Sequence, residues 1–377
     1  MPDFSKKTAS AALWRCGVLV CTSISIMVVA CGDETINGLG GSAPGGSSTA
    51  TTGQGGATES ATGVGGSSAT GEASSSASSG DTAASTSGGG GAGGGVSGEI
   101  VTLATGQGQP SAVVVSGAYV YWANSGSGEI RKAPIDGSTP PETIALGQDS
   151  PTGLAVDASH LYWTAPYGNA VFAGGLNGGP PKLVAASQDH ALGIAVDADY
   201  LFWVTGVSSG SVRRLPINGG TPTLLATGQN QPYWIALDAA NAYWTDYEGG
   251  TIAAAPKAGG ATTTIASGQD HPRVLTTDAS AVYWTTDLGG TVMSAPKGGG
   301  AATTIASGQS HPFGVVVDAD AVYWATSGDG SVHKALKAGG PDVVLASGLG
   351  GAVGLAEDAG HLFVTTYNAG TVVRIAK

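Results

Sequence analysis

The sequence predicts an all-β fold: seven copies of one four-stranded antiparallel unit, closed into a seven-bladed β-propeller. Three observations predict it. First, an aromatic pair recurs every 40 or 41 residues, at Tyr121-Trp122, Tyr162-Trp163, Phe202-Trp203, Tyr243-Trp244, Tyr283-Trp284 and Tyr323-Trp324, with a seventh copy surviving as Phe363-Val364. A fixed period in this range marks one supersecondary unit copied many times. Second, each copy holds short runs rich in β-branched and aromatic residues between Gly, Asp and Pro turns. Third, the last copy lacks a fourth run, and a matching run stands ahead of the first copy.

The chain begins with a targeting segment, residues 1–30. Lys6, Lys7 and Arg15 give a positive start, and the 15 residues 16–30 are largely apolar, short for a membrane-spanning helix. The run ends Val28-Val29-Ala30-Cys31, which resembles the bacterial lipoprotein box. That resemblance implies cleavage before Cys31 and acylation of its thiol and new amine. Each buried CH₂ of an acyl chain contributes about 0.8 kcal/mol, so several chains anchor stably. An ordinary secretory signal with an incidental cysteine is the alternative. Cys16 and Cys21 fall in the removed segment, which leaves Cys31 as the sole mature cysteine and excludes a disulfide framework. The expected location is the bacterial cell envelope, lipid-anchored and extracytoplasmic.

Residues 31–98 carry the lipidated cysteine and then a tether of Gly, Ser, Ala and Thr. Such a composition buries too little apolar surface to fold. A flexible coil of the 67 residues 32–98 has an end-to-end distance on the order of 45 Å. Its Ser and Thr are possible O-glycan sites; a plain spacer is the simpler reading.

Residues 99–377 are the propeller. In the fifth copy, Arg273-Val274-Leu275-Thr276-Thr277 is a first strand and Ala281-Val282-Tyr283-Trp284-Thr285-Thr286 a second. Asp287-Leu288-Gly289-Gly290 turns the chain, Thr291 to Ala295 make a third strand, and Thr303-Thr304-Ile305 a fourth. The second strand is apolar on both faces, as expected of a sheet packed between neighbours rather than facing water. Tyr and Trp then fill the wedges between blades. The final copy ends after its third strand, and Thr102-Leu103-Ala104 matches the missing fourth strand. The N-terminal segment therefore closes the ring and removes the open edges of a linear array.

The run Pro151-Thr152-Gly153-Leu154-Ala155-Val156-Asp157, followed by Leu161-Tyr162-Trp163-Thr164, resembles propellers of the YWTD and NHL type. Tyr243-Trp244-Thr245-Asp246 matches the YWTD signature literally, while Tyr121-Trp122-Ala123-Asn124 and Phe202-Trp203-Val204-Thr205 depart from it. The resemblance spans 99–377. It implies a fold shared by receptors, scaffolds and enzymes, and so it does not choose among functions. Those families are commonly six-bladed; the repeat count here gives seven.

The propeller carries 21 acidic residues against 12 Lys plus Arg. A net-acidic domain without a basic stripe argues against a nucleic-acid partner. The expected partners are a protein, a carbohydrate or a small molecule, with the membrane reached only through the lipid anchor and the chain a monomer.

Antiparallel connectivity puts two loop sets on one face: those entering each first strand, and those between second and third strands. The first set carries His190, His271 and His311 in one register; the second carries Asp246, Glu248, Asp287 and Asp329. Lys257, Lys297 and Lys337 recur on the opposite face. Histidine is a common metal ligand, so His190, His271 and His311 are metal candidates for a divalent ion. The same register holds Gln109, Ser150 and Gln231 elsewhere, as a plain repeat-derived turn would. The primary expectation is that no cofactor is needed.

Ligand-binding candidates are the departures from the repeat: Tyr233, Trp234, Arg273 and Phe313, with His271 and His311 beside them. Arg273 among aromatics suits a carboxylate or a sugar ring; filling of the channel is the alternative. The recurring Asp157, Asp197, Asp238, Asp278, Asp318 and Asp358 suit turns in which the side chain bonds its own backbone two residues on. The recurring Gln suits a bond between blades. The sequence has no Gly-x-Ser-x-Gly elbow, no His-Glu-x-x-His, no Cys-x-x-Cys and no phosphate loop. Two functions follow: a tethered binding or scaffold propeller, or a metal-dependent lyase or hydrolase using the His-bearing acidic face. The second is similar in blade number to the streptogramin lyases, whose catalytic motif is not placed on these residues.

Overall fold

A computed structural model describes residues 99–377. The expected signal segment, Cys31 and the tether lie outside the described residues. The 28 strands form seven four-stranded antiparallel sheets. Blade 5 consists of Pro272–Thr277, Ala281–Thr286, Thr291–Pro296 and Thr303–Ala306. First strands of successive blades neighbour one another and ring the channel. In blade 7, Ile100–Ala104 is the outer strand, antiparallel to Thr371–Ala376 with Ile100 opposite Ile375 and Thr102 opposite Val373. The ring closes as the sequence predicts. No helix among the described residues is long and apolar enough to cross a membrane.

The core is seven wedges, one between each pair of blades. Alternation along a strand sends adjacent side chains to opposite faces. Trp284 thus packs with Tyr243, Ile252 and Ile265 of blade 4, while Tyr283 packs with Val315, Val322 and Trp324 of blade 6. All six repeat tryptophans are fully buried. Each removes roughly 200 Å² from water, on the order of 5 kcal/mol of transfer free energy.

The repeat residues are fasteners between blades. Each Trp indole N–H donates to the Gln Oε1 of the preceding loop, as from Trp284 to Gln269 at 2.9 Å and from Trp163 to Gln148 at 2.8 Å. The backbone N–H of the next blade's Gln309 in turn donates to Gly290 O at 2.9 Å. Gly290 has φ +58°, and an added Cβ would lie 2.7 Å from Gln309 O, which favours glycine there; blade 2 uses Asn169 (φ 49°) in the same register. The Thr that follows Trp reaches the next blade: Thr245 Oγ1 donates to Arg273 O at 2.8 Å and Thr285 Oγ1 to Phe313 O at 2.7 Å.

The Asp register works on the opposite face. Asp278 Oδ1 accepts from the backbone N–H of Ser280 and Ala281, and Oδ2 accepts the Tyr283 hydroxyl at 2.8 Å. A lysine of the following blade then bonds Asp Oδ2: Lys257 to Asp197 at 2.6 Å, Lys297 to Asp238 at 2.9 Å and Lys337 to Asp278 at 2.7 Å. The lysines expected as a partial charged ring are therefore neutralised pairwise. Burial opposes ionisation of Asp238 and Asp278. The lysine and the backbone donors outweigh it and hold both carboxyls below the usual range.

Candidate functional site

The loops entering the first strands place a residue in the left-handed region in all seven blades, a non-glycine in six and Gly351 in the seventh. Among them are Gln231 (φ 53°), His271 (φ 57°) and His311 (φ 50°). Asn, Asp and His tolerate this region better than most side chains. The carbonyl of that residue ties the two loop sets together. Tyr247 N–H donates to Gln231 O, Asp287 N–H to His271 O, and Ser327 N–H to His311 O, each at 3.0 Å. Both loop sets share one face, as expected.

In blades 4 to 6 the two residues after the following proline lie in a β-bulge. Pairing of first and second strands shifts between Pro232 and Ile235, between Pro272 and Leu275, and between Pro312 and Val315. A bulge bends its strand and re-aims a side chain. Tyr233, Arg273 and Phe313 sit at this point in blades 4, 5 and 6 and come together.

Asp287 is the hub. Its side chain is 5% exposed. Oδ2 lies 3.3 Å from Arg273 Nη2 and accepts the Tyr247 hydroxyl at 3.1 Å, and Oδ1 lies 3.0 Å from His311 Nδ1. The Arg273 guanidinium carbon stands 4.4 Å from the centroid of Phe313, 5.4 Å from Tyr233 and 5.6 Å from Tyr247. Tyr233 meets Phe313 edge-on at 6.3 Å, and Tyr247 meets His271 edge-on at 4.8 Å. His271 Nδ1 is 2.7 Å from Asp270 Oδ1, and its Nε2 is 3.8 Å from Glu248 Oε2. Burial pushes the Tyr247 phenol up to about 12; Arg273 opposes this and Asp287 adds to it. Burial raises the Tyr233 phenol as well. Both hydroxyls stay protonated near neutral pH. Arg273 Nε is buried with no hydrogen-bond partner.

Five of the six expected ligand residues are thus in one group: Tyr233, Arg273, Phe313, His271 and His311. Trp234 is apart. It packs against the wedge clusters between blades 1 and 2, 4 and 5, and 5 and 6, which makes it filling for the channel. His190 also stands apart, edge-on to Tyr167 at 5.9 Å, with its ring pKa lowered by burial. Among the described residues, no group of three or more His, Cys, Asp and Glu side chains converges to hold a metal. Among the described residues the expected metal set His190, His271 and His311 does not converge: blade 4 interposes Gln231, His190 packs on Tyr167, and His271 and His311 turn to Asp270 and Asp287.

Tyr247 and the hub role of Asp287 escaped the sequence reading. The signal was present: in the register after the second strand, Ser125, Pro166, Gly206 and Ser327 give way to Tyr247, Asp287 and Tyr367 in blades 4, 5 and 7. Asp246, the literal YWTD aspartate, is 7% exposed. Its Oδ2 accepts from Thr251 at 3.2 Å, and its Oδ1 is buried without a partner. Burial pushes this carboxyl up to about 6, against the opposing bond from Thr251.

No family model matches the chain, and no curated protein matches it. Solved structures do. Virginiamycin B lyase from Staphylococcus aureus aligns at 12% identity with a TM-score of 0.66, over 74% of this chain and 98% of that one. A streptogramin B lyase aligns at 12% identity and TM-score 0.64, over 73% and 96%. The protein U3-55K aligns at 12% identity and TM-score 0.63, over 74% and 98%. At these identities the likeness shows a shared propeller fold.

Proposed function

We propose that the chain is a binding module of the bacterial cell envelope, with its ligand mouth where blades 4 to 6 meet the channel. The ligand class is a small acidic or carbohydrate-like molecule. The observation that carries this reading is the Arg273 guanidinium, partly exposed and held by Asp287, in a mouth walled by Tyr233, Tyr247 and Phe313. A ligand carboxylate or hydroxyl meets the exposed part of the guanidinium, and sugar planes suit the aromatic edges. His271 and His311, about a third exposed, supply further polar contacts at the rim. A binding screen of acidic and neutral sugars against wild type and Tyr233→Ala/Phe313→Ala tests it. Loss of binding in a folded double variant supports the site; unchanged affinity refutes it.

The anchor is part of the same proposal. Acylated Cys31 holds the propeller at the membrane, and residues 32–98 let it reach outward. Cys31→Ser should end palmitate labelling and release the protein from membranes. Persistent labelling would contradict it.

A second reading is an acid–base enzyme. The Asp287–His311 pair at 3.0 Å favours it, because a carboxylate on one imidazole nitrogen orients the ring as a general base. Turnover of quinupristin, the ligand bound in one of the matching lyase structures, that disappears in His311→Ala would select this reading over binding alone.

A further inference from the structure

On the face opposite the mouth, three of the seven junctions lack a lysine fastener, and at one of these the receptor for it is kept whole. At four consecutive junctions a lysine of the later blade bonds the register aspartate of the earlier one: Lys257 with Asp197, Lys297 with Asp238, Lys337 with Asp278 and Lys377 with Asp318, at 2.6–3.3 Å. Three of these ammonium groups also lie over the tyrosine whose hydroxyl bonds the same aspartate: Lys297 over Tyr243 at 5.6 Å, and Lys337 over Tyr283 and Lys377 over Tyr323, both at 5.2 Å. Lys337 adds a bond to the backbone carbonyl of Asp318 at 2.6 Å. The repeat thus builds a receptor for a primary ammonium from a carboxylate, a tyrosine face and a carbonyl, and fills it from within.

Between blades 2 and 3 the receptor is kept and the lysine is lost. Asp157 accepts from the backbone N–H of Ser159 and His160, and its Oδ2 accepts the Tyr162 hydroxyl at 2.8 Å, as in the sister blades. The lysine register is fixed by a backbone bond. Lys337 N–H donates to Asp320 O at 2.9 Å, and Ile217 N–H donates to Asp199 O at 2.8 Å. Ile217 therefore stands where the lysine would. The space around it is a cleft of about 510 Å³ lined by Asp157, His160, Tyr162, Asp197, Ile217 and Asn218, among others. His160 lies 4.0 Å from Asp157 Oδ1, on the other oxygen, and is more than half exposed. Asp197 is already paired with Lys257. The junction of blades 7 and 1 also puts an isoleucine, Ile135, in the lysine register, but there Phe363 replaces the tyrosine and His361 sits 3.3 Å from Asp358.

We infer that the cleft between blades 2 and 3 binds a primary alkylammonium group, its charge on Asp157 Oδ2, its stem over Tyr162 and a further bond to the Asp197 carbonyl. The sister blades supply the geometry, with a lysine arm as the ligand. A charge-assisted bond to a partly sheltered carboxylate, with the ring face, is the recognition chemistry. A lysine side chain of a partner and a free aliphatic diamine share this group.

The test titrates the full chain with pentylammonium, Nα-acetyl-lysine amide and 1,5-diaminopentane, with 1-pentanol as the uncharged control, followed by calorimetry. Saturable millimolar binding of the amines without binding of pentanol is expected. A diamine at least 10-fold tighter than acetyl-lysine amide identifies free diamines as the source; the reverse order identifies lysine side chains. Asp157→Asn keeps the turn acceptor and should weaken amine binding at least 10-fold. Ile217→Lys should abolish it and raise the thermal midpoint, because the fastener is restored. Absence of saturable amine binding, equal binding of pentanol, or amine binding unchanged in either variant overturns the inference.

Discussion

Arg273 and Asp287 form a buried ion pair within one blade, Nη2 to Oδ2 at 3.3 Å, with the arginine on the bulged first strand and the aspartate in the turn after the second. The pair fixes the mouth. It holds the guanidinium against three aromatic rings, and the same carboxylate positions Tyr247 and His311.

Removing one partner leaves the other buried and unpaired, which typically costs 3–5 kcal/mol, whereas replacing both with apolar residues is often neutral. Asp287→Ala should therefore lower unfolding free energy by about 3–5 kcal/mol. Arg273→Met/Asp287→Leu should recover most of that loss. Urea unfolding of the two variants checks it; a double variant as unstable as the single would contradict the pairing.

Much of the fold was legible because each fastener lies in one repeat and is copied. The Tyr, Trp, Gln and Asp registers carry the period, and the bonds of Trp284 to Gln269 and Tyr283 to Asp278 explain why those types recur together. Where Val364 replaces Trp, Leu349 replaces Gln, so the pair is lost as a unit. The site was legible in part. Tyr233, Arg273 and Phe313 announced themselves as large residues in a small-residue register. Trp234 did too, but it packs on the channel clusters instead of joining them. Tyr247 was hidden in a turn, where varied residues carry little signal. The lysine ring misled, because sequence spacing shows recurring charges and not the aspartates that receive them one blade away.

Asp246 makes stability depend on pH. Its carboxyl titrates at about 6 in the fold against 3.8 without perturbation. Folding thus favours the protonated form. That contribution is complete below pH 3.8 and is lost as pH rises through 6. The loss is about 2–3 kcal/mol, from 1.36 kcal/mol per pKa unit. Asp246→Thr, which copies Thr286, Thr326 and Thr366 of the later blades, should remove the dependence and unfold at a higher temperature at pH 8. An unchanged slope between pH 4 and 7 would contradict the burial argument.

Ring closure rests on Ile100–Ala104. Deleting 99–106 leaves blade 7 with three strands and an open edge. Deleting 40–90 shortens the proposed tether and should leave the propeller unaffected. The thermal midpoint should fall by on the order of 10 °C or more in the first deletion, since each kcal/mol shifts it by about 2–4 °C in a domain of this size. Equal midpoints would contradict closure by this strand.

The most direct test of the ligand mouth is fluorotyrosine NMR of the full chain, titrated with galacturonate and with neutral galactose. All 11 tyrosines lie in the propeller, so every blade face that carries one reports. A mouth at blades 4 to 6 predicts saturable shifts of the Tyr233 and Tyr247 resonances with galacturonate, lost in Phe313→Ala, while Tyr162 on the opposite face stays still. Shifts confined to Tyr119, Tyr162 or Tyr167, or no shift at Tyr233 and Tyr247 with any acidic or neutral sugar, would contradict it.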